Sequence, residues 1–175
     1  MLRSPRSFAI LVFCVLAAVL LAGGSVYNVE RINRNRERQA LSDARMLGLA
    51  AIQYAYEHKE HYPDSGRWEQ ELSPYFEPGA WDILHPPPPI GGTPRRFSLN
   101  PALSGRTLAQ TASPADFWMF YESVARTPSA SDDLDNWPDQ RRDGGQVCAV
   151  VYADGHCYLR PLVWKQGIRQ HLPGL

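Results

Sequence analysis

The chain has 175 residues, and its 18 basic residues balance its 18 acidic residues. This length accommodates one ordinary domain with an appendage, and the balanced charge gives no general electrostatic attraction for nucleic acid. The three cysteines, at positions 14, 148 and 157, are too few for a disulfide-stapled scaffold and lack the pairing of a zinc site.

The N-terminal segment is apolar. After Arg3 and Arg6, no charged residue occurs in the 23 residues from Ser7 to Val29. As a helix these would span ~34 Å, which exceeds a bilayer core of ~30 Å. We therefore expect a transmembrane anchor in residues 1–25. A cleaved signal peptide is the alternative, because the most apolar part, residues 8–22, has only 15 residues, and residues 22–24 are small as a cleavage site requires.

The arginines beside this segment bear on its orientation. Four follow it within residues 31–38, and two precede it. This count favours a soluble part on the cytoplasmic side, opposite to the orientation that the family resemblance below implies.

Residues 26–62 have the pattern of an amphipathic helix that continues the anchor. Apolar residues recur every three or four positions, which predicts one face packed on a core. This face comprises Leu41, Ala44, Leu47, Ala51 and Ala55. Pro63 should end the helix.

Residues 63–165 are expected to form the soluble α+β domain, and residues 166–175 a tail. Trp68 and Leu72 predict a turn or a short helix against the core, and the four prolines at 86–89 predict a stiff connector. The aromatic segment "DFWMFYES" predicts a buried strand.

The segment 125–145 is polar and acidic. Its Asp132, Asp133 and Asp135 offer the oxygen ligands that calcium prefers, although the EF-hand spacing is absent. A solvated loop and a calcium-ordered loop both remain open; no other cofactor is expected.

The stretch "VVYADGHCYL" predicts a hairpin with a two-residue turn at Asp154-Gly155. That turn would pair Tyr152 with Cys157 and Val150 with Leu159, and would place Val150, Tyr152 and Leu159 on the inner face. His156 and Cys157 would then point to opposite faces. We therefore interpret Asp154, Gly155 and His156 as a structural turn rather than a catalytic or metal cluster.

Sequence motifs for an enzyme are absent. No serine stands between glycines in the pattern of a nucleophile elbow, and no glycine-rich phosphate loop occurs. We predict that the protein is not an enzyme.

Four stretches resemble the pilin-like proteins called pseudopilins, which belong to bacterial type II secretion and related systems. They are "DARMLGLAAIQYAYEHKEHYP", "RRFSLNPALSG", "DFWMFYES" and "GGQVCAVVYADGHCYLRPL". Together they cover most of residues 40–162, and they are similar to a branch that ends in an Asp-Gly-His hairpin.

The resemblance implies a pilin-like α+β fold, in which a long N-terminal helix packs on a small antiparallel sheet. It implies a non-enzymatic, single-pass subunit or accessory in the bacterial inner membrane, with its soluble domain facing the periplasm or the cell exterior. Its partners would be other pilin-like subunits or secretion-machinery proteins. The alternative is a secreted ligand- or calcium-binding module released by signal-peptide cleavage.

The chain departs from the family pattern at its start. The family's processed motif has a Gly before Phe and a Glu five residues into the mature chain, but no Gly precedes Phe8 and no Glu follows within the apolar span. The branch's His ten residues before the turn Asp is replaced by Gly144.

Overall fold

The structure is a computed structural model that describes residues 5–77, 92–111, 113–125, 136–138 and 145–164. The chain divides into two compact units, Met1–Asn35 and Arg36–Leu175. The helices are α1 (Pro5–Glu57) and α2 (Trp68–Leu72), and the strands are β1 (Arg96–Leu99), β2 (Trp118–Ser123), β3 (Val147–Tyr152) and β4 (Cys157–Pro161). The proline run, the three calcium candidates and the predicted tail lie outside the described residues.

The first unit contains the N-terminal part of α1. Its described side chains include several large apolar residues that are exposed, namely Val12, Phe13, Val15, Leu16, Val19, Leu20, Val26, Tyr27, Val29 and Ile32.

No helix in the described part of the chain combines the length and the apolar character that crossing a membrane requires.

The second unit is a helix packed on an antiparallel sheet, which confirms the predicted α+β class. The strands lie in the order β1-β2-β3-β4, and each neighbouring pair is antiparallel. The C-terminal part of α1 buries its apolar stripe on one sheet face. Buried there are Ala40, Ala44, Leu47, Ala51, Phe97, Leu99, Phe120, Ala149 and Val151.

Of the five residues proposed as the helix packing face, Ala44, Leu47, Ala51 and Ala55 are fully buried. Leu41 is only half-buried. The alanines leave short side chains between helix and sheet, so the two backbones can approach closely.

α1 ends at Glu57, before the boundary that Pro63 predicts. Lys59 and Glu60 take positive φ angles of 57° and 64°, and the Glu60 N–H donates to the Ala55 carbonyl at 2.7 Å. This left-handed turn terminates the helix. The chain then folds back, so that the buried Tyr62 hydroxyl donates to the Ala153 carbonyl at 3.1 Å.

The opposite face of the sheet is also covered. Trp137 is buried there, stacks on Tyr121 with ring centroids 5.5 Å apart, and donates from Nε1 to the Leu162 carbonyl at 2.8 Å. This second cluster comprises Trp118, Tyr121, Trp137, Cys148, Val150, Tyr152 and Leu162. One tryptophan from the polar segment 125–145 is therefore part of the core.

The predicted hairpin is present, but its loop has three residues and not two. Val151 pairs with Cys157, and the Tyr152 N–H donates to the His156 carbonyl at 2.8 Å, which leaves residues 153–155 as the loop. The Gly155 N–H donates to the Tyr152 carbonyl at 2.8 Å, and Gly155 has a φ of 88°. A turn of this kind closed by a left-handed glycine is the usual three-residue loop.

This loop corrects the predicted register by one residue. A shift of one residue moves a strand's side chains to the other face of the sheet. Leu159 accordingly packs with Val151 on the α1 side, whereas Val150 and Tyr152 lie on the opposite side. The predicted pairing of Tyr152 with Cys157 is wrong, as is the shared inner face of Val150, Tyr152 and Leu159.

Asp43 lies fully buried on the packed face of α1. Gln39 Nε2 donates to its Oδ1 at 2.8 Å, while its Oδ2 has no hydrogen-bond partner among the described residues. Burial raises the pKa of Asp43 from 3.8 to about 6, and the bond from Gln39 offsets only part of this rise.

Asp43→Asn should therefore change how stability depends on pH. The folded protein holds the Asp43 proton more tightly than the unfolded chain does, so the contribution of Asp43 to stability is fully present below pH 4 and is lost as pH rises through about 6. A shift of ~2 units corresponds to about 3 kcal/mol. We expect Asp43→Asn to unfold at higher denaturant than wild type at pH 7, and near the wild-type midpoint at pH 4.

Urea denaturation between pH 4 and pH 8 measures this difference. Asp116→Asn, which removes an exposed carboxyl, is the matched control and should follow wild type throughout. Parallel pH curves for Asp43→Asn and wild type would contradict the prediction.

Candidate functional site

The hairpin tip is held directly against α1. A Cβ atom added at Gly48 would lie 2.7 Å from the Gly155 carbonyl oxygen and 3.0 Å from Val151 Cγ1. One added at Gly155 would lie 2.9 Å from Ile52 Cγ1. Gly48 is therefore required by the close approach of the hairpin backbone, and Gly155 is required by the neighbouring Ile52 side chain and by its own positive φ.

Asp154 and His156 are joined within the turn. Asp154 Oδ1 accepts the backbone N–H of His156 at 3.1 Å and lies 2.5 Å from His156 Nδ1. The His156 ring stacks on Tyr152, with centroids 4.3 Å apart. Both polar side chains thus make contacts that fix the loop conformation.

An aromatic and cationic cluster extends from this turn along β4. Arg160 Nε donates to the Tyr152 hydroxyl at 3.0 Å, and its guanidinium lies 5.0 Å from the centre of the Tyr158 ring. The Tyr158 ring meets His156 edge-on at 5.1 Å. Of these contacts, the one between Arg160 and Tyr152 crosses from β4 to β3 and stabilises the register that the three-residue loop sets.

Cys157 faces α1 and not the His156 side. Its thiol is 3.9 Å from the Leu41 carbonyl oxygen. Burial raises the pKa of this thiol, although the neighbouring Arg45 acts to lower it. His156 and Cys157 therefore do not form an activated pair.

A shallow open groove of about 390 Å³ lies between α1 and the hairpin. Its lining residues are Arg45, Leu49, Gly155, His156, Cys157 and Tyr158. Leu49 is 69% exposed and Tyr158 is 53% exposed, so the groove presents apolar surface to solvent beside one cation.

A buried charge cluster, which was not predicted from the sequence, places Glu122 of β2 between two arginines. Arg36 of α1 forms an ion pair with Glu122 Oε1, and Arg95 Nη1 lies 3.5 Å from the same oxygen. Glu122 Oε2 accepts the Ala149 N–H at 3.1 Å. The cluster joins α1, β2, β3 and the residue before β1.

Burial and like charge act on this cluster. The pKa of Arg36 is lowered to about 10, first by burial and then by the neighbouring Arg95. The adjacent Cys148 is fully buried, and burial raises the pKa of its thiol to about 12. Among the described residues, Glu122 supplies the carboxylate that compensates both buried guanidinium groups.

Two sequence signals could have revealed this cluster. Arg36 lies four residues before Ala40, so it continues the buried stripe of α1. Glu122 is the sole charged residue in strand β2, where all six residues are buried. An acid and a base at predicted core positions are expected to pair.

The described residues contain no group of three or more His, Cys, Asp or Glu side chains placed to hold a metal ion. The calcium candidates Asp132, Asp133 and Asp135 lie outside the described residues.

Comparison with known protein families, with curated proteins and with solved structures finds no match.

Proposed function

We propose that the protein is a non-enzymatic, membrane-anchored, pilin-like structural subunit or accessory of a type II secretion or type IV pilus-like assembly. The observation that carries the proposal is that two different segments belong to one helix, α1. The same helix includes the uncharged segment from Ser7 to Val29 and the alanine-rich face that packs on the sheet.

The contacts at the hairpin tip support a structural role. Asp154 and His156 hold the turn, and Gly155 brings it against α1. The polar groups of Asp154 and His156 thus stabilise the turn, and we propose no catalytic role for them.

In this proposal, residues 1–25 anchor a single-pass protein in the inner membrane, and the second unit faces the periplasm or the cell exterior. Its partners would be other pilin-like subunits or proteins of the secretion machinery. Nucleic acid is not a proposed partner, since the net charge is zero.

The intact mass of the native protein, measured separately in membrane and soluble fractions, tests the proposal. We expect the full-length chain in the membrane fraction, resistant to alkaline carbonate extraction. Protease added to spheroplasts should digest the second unit if it faces outward.

A soluble chain that begins near Ser25 would contradict the anchor. That result would favour a secreted ligand- or calcium-binding module. Protection from protease in intact spheroplasts, with digestion after lysis, would contradict the outward orientation.

A further inference from the structure

The outward side of α1 in the second unit is basic. Arg38 and Arg45 are exposed there, and seven residues separate them, so they lie on nearly the same side of the helix, about 10 Å apart along its axis. From Arg38 to Tyr56 the sequence of α1 has one acidic residue, Asp43, and this residue is fully buried. The outward side therefore has an excess of positive charge, although the net charge of the whole chain is zero.

Arg45 brings this positive charge to the groove between α1 and the hairpin. None of the described residues that line the groove is an Asp or a Glu, and Arg45 takes part in none of the ion pairs within the described part of the chain. Its guanidinium is hydrogen-bonded to the Cys157 thiol, and the Asp154 carboxylate of the adjoining turn is held by His156 Nδ1. Arg45 can therefore bind an anion that another molecule supplies.

Apolar surface adjoins this charge. Leu49 is 69% exposed and Tyr158 is 53% exposed at the groove, and Tyr56, about two turns beyond Leu49 on α1, is 85% exposed. Complementary charges give a contact its specificity, and aromatic and arginine side chains supply much of the binding energy at protein surfaces. The matching ligand has a carboxylate beside large apolar groups.

The shape of the groove favours a polypeptide over a small molecule. Small-molecule sites are concave and bury most of the ligand surface, whereas this groove is shallow and open. A polypeptide segment can place one carboxylate at Arg45 and continue along α1 toward Tyr56, so that it buries surface on both sides of the groove. A lipid surface fits less well, because Arg45 and Leu49 line a recess between two elements.

We propose that the groove between α1 and the hairpin binds a segment of another protein in which an acidic residue adjoins large apolar residues. The carboxylate pairs with Arg45, and the apolar side chains pack on Leu49 and Tyr158. This inference goes beyond the proposed function, because it concerns contacts of the second unit alone and does not depend on the anchor or on its orientation.

Selection of random peptides displayed on phage tests the proposal, with the full-length chain immobilised in a neutral detergent. We expect the selected peptides to contain Asp or Glu beside Leu, Ile or Phe. A parallel selection on Arg45→Glu should yield Lys or Arg in place of the acidic residue, because the charge at the groove is reversed. Arg106→Glu, which reverses an exposed arginine elsewhere in the second unit, is the matched control and should yield the wild-type pattern.

The affinity of a selected peptide, synthesised with a fluorescent label, measures the individual contacts. Arg45→Glu should raise its Kd roughly tenfold or more, and replacing the acidic residue of the peptide by arginine should restore binding to this variant. Leu49→Lys should raise the Kd by a similar factor. Val163→Lys alters a residue that is 80% exposed elsewhere and should leave the Kd unchanged.

Other outcomes overturn the proposal. Selected peptides without acidic residues, or a Kd that Leu49→Lys leaves unchanged, would exclude the groove as the site of such a segment. A dimer of the full-length chain that Leu49→Lys dissociates, with no acidic peptide selected, would assign the groove to a second copy. Protection of Arg45 from phenylglyoxal by phosphatidylglycerol, again with no acidic peptide selected, would assign it to lipid. None of these readouts measures membrane residence, so this inference and the proposed function can fail separately.

Discussion

Glu122→Gln is expected to lower the free energy of unfolding by about 3–5 kcal/mol, because it leaves two buried guanidinium groups without their shared carboxylate. Arg36 is 5% exposed, Arg95 is 1% exposed and Glu122 is fully buried, so water cannot replace the lost anion. Chemical denaturation at neutral pH measures the loss.

The exposed pair of Arg34 and Glu30, 3.5 Å apart, provides the matched control. Glu30→Gln should change stability little, since exposed ion pairs contribute little. Adding Arg36→Met to Glu122→Gln should recover part of the lost stability by removing one uncompensated charge. A loss no larger for Glu122→Gln than for Glu30→Gln would show that the buried cluster is not required for stability.

Gly155→Val is expected to lower the free energy of unfolding by about 3 kcal/mol or more, because a β-branched residue is strained at positive φ and overpacking adds a further cost. Gly155 has a φ of 88°, and its new Cβ would lie 2.9 Å from Ile52 Cγ1. Thermal and urea denaturation measure the effect. In the extreme case the variant does not fold.

Gly105→Val separates the two causes. Gly105 has a φ of 72°, but nothing lies within 4 Å of the position its Cβ would occupy, so it should suffer only the backbone strain. If Gly155→Val and Gly105→Val lower the free energy of unfolding equally, the contact of the new side chain with Ile52 of α1 adds nothing to the loss of stability. Gly48→Ala should also destabilise the protein, since its Cβ would meet the Gly155 carbonyl oxygen. Gly24→Ala should not destabilise it, because its Cβ has open space and alanine favours a helix more than glycine does.

The hairpin shows how far sequence reasoning reaches. Asp154-Gly155 between apolar runs was sufficient to predict the turn, because few residues accept positive φ. The loop length was not predictable, since two-residue and three-residue loops both place Gly at their end. The structure has the three-residue loop, which turns the side chains of Cys157 and Leu159 toward α1.

The helix shows a similar limit. A three-to-four spacing predicted the face that contains Ala44, Leu47 and Ala51, because periodicity depends only on local geometry. The same spacing places Arg36 in line with this face, but it does not identify the partner of that buried charge. Its partner Glu122 is 86 positions away, and only the folded sheet brings the two together. Asp43 was missed for a different reason, since a polar residue beside an apolar helix face is assumed to face solvent.

Strand β4 pairs on one side only within the described sheet, so its other backbone edge is available to a further strand. Its last residue, Pro161, has no N–H to donate, and Arg160 beside it carries a charge. Proline and charged side chains on a short edge strand are features that oppose the addition of a strand from another molecule. Copies of this protein held close together are therefore disfavoured from joining through the β4 edge of their sheets.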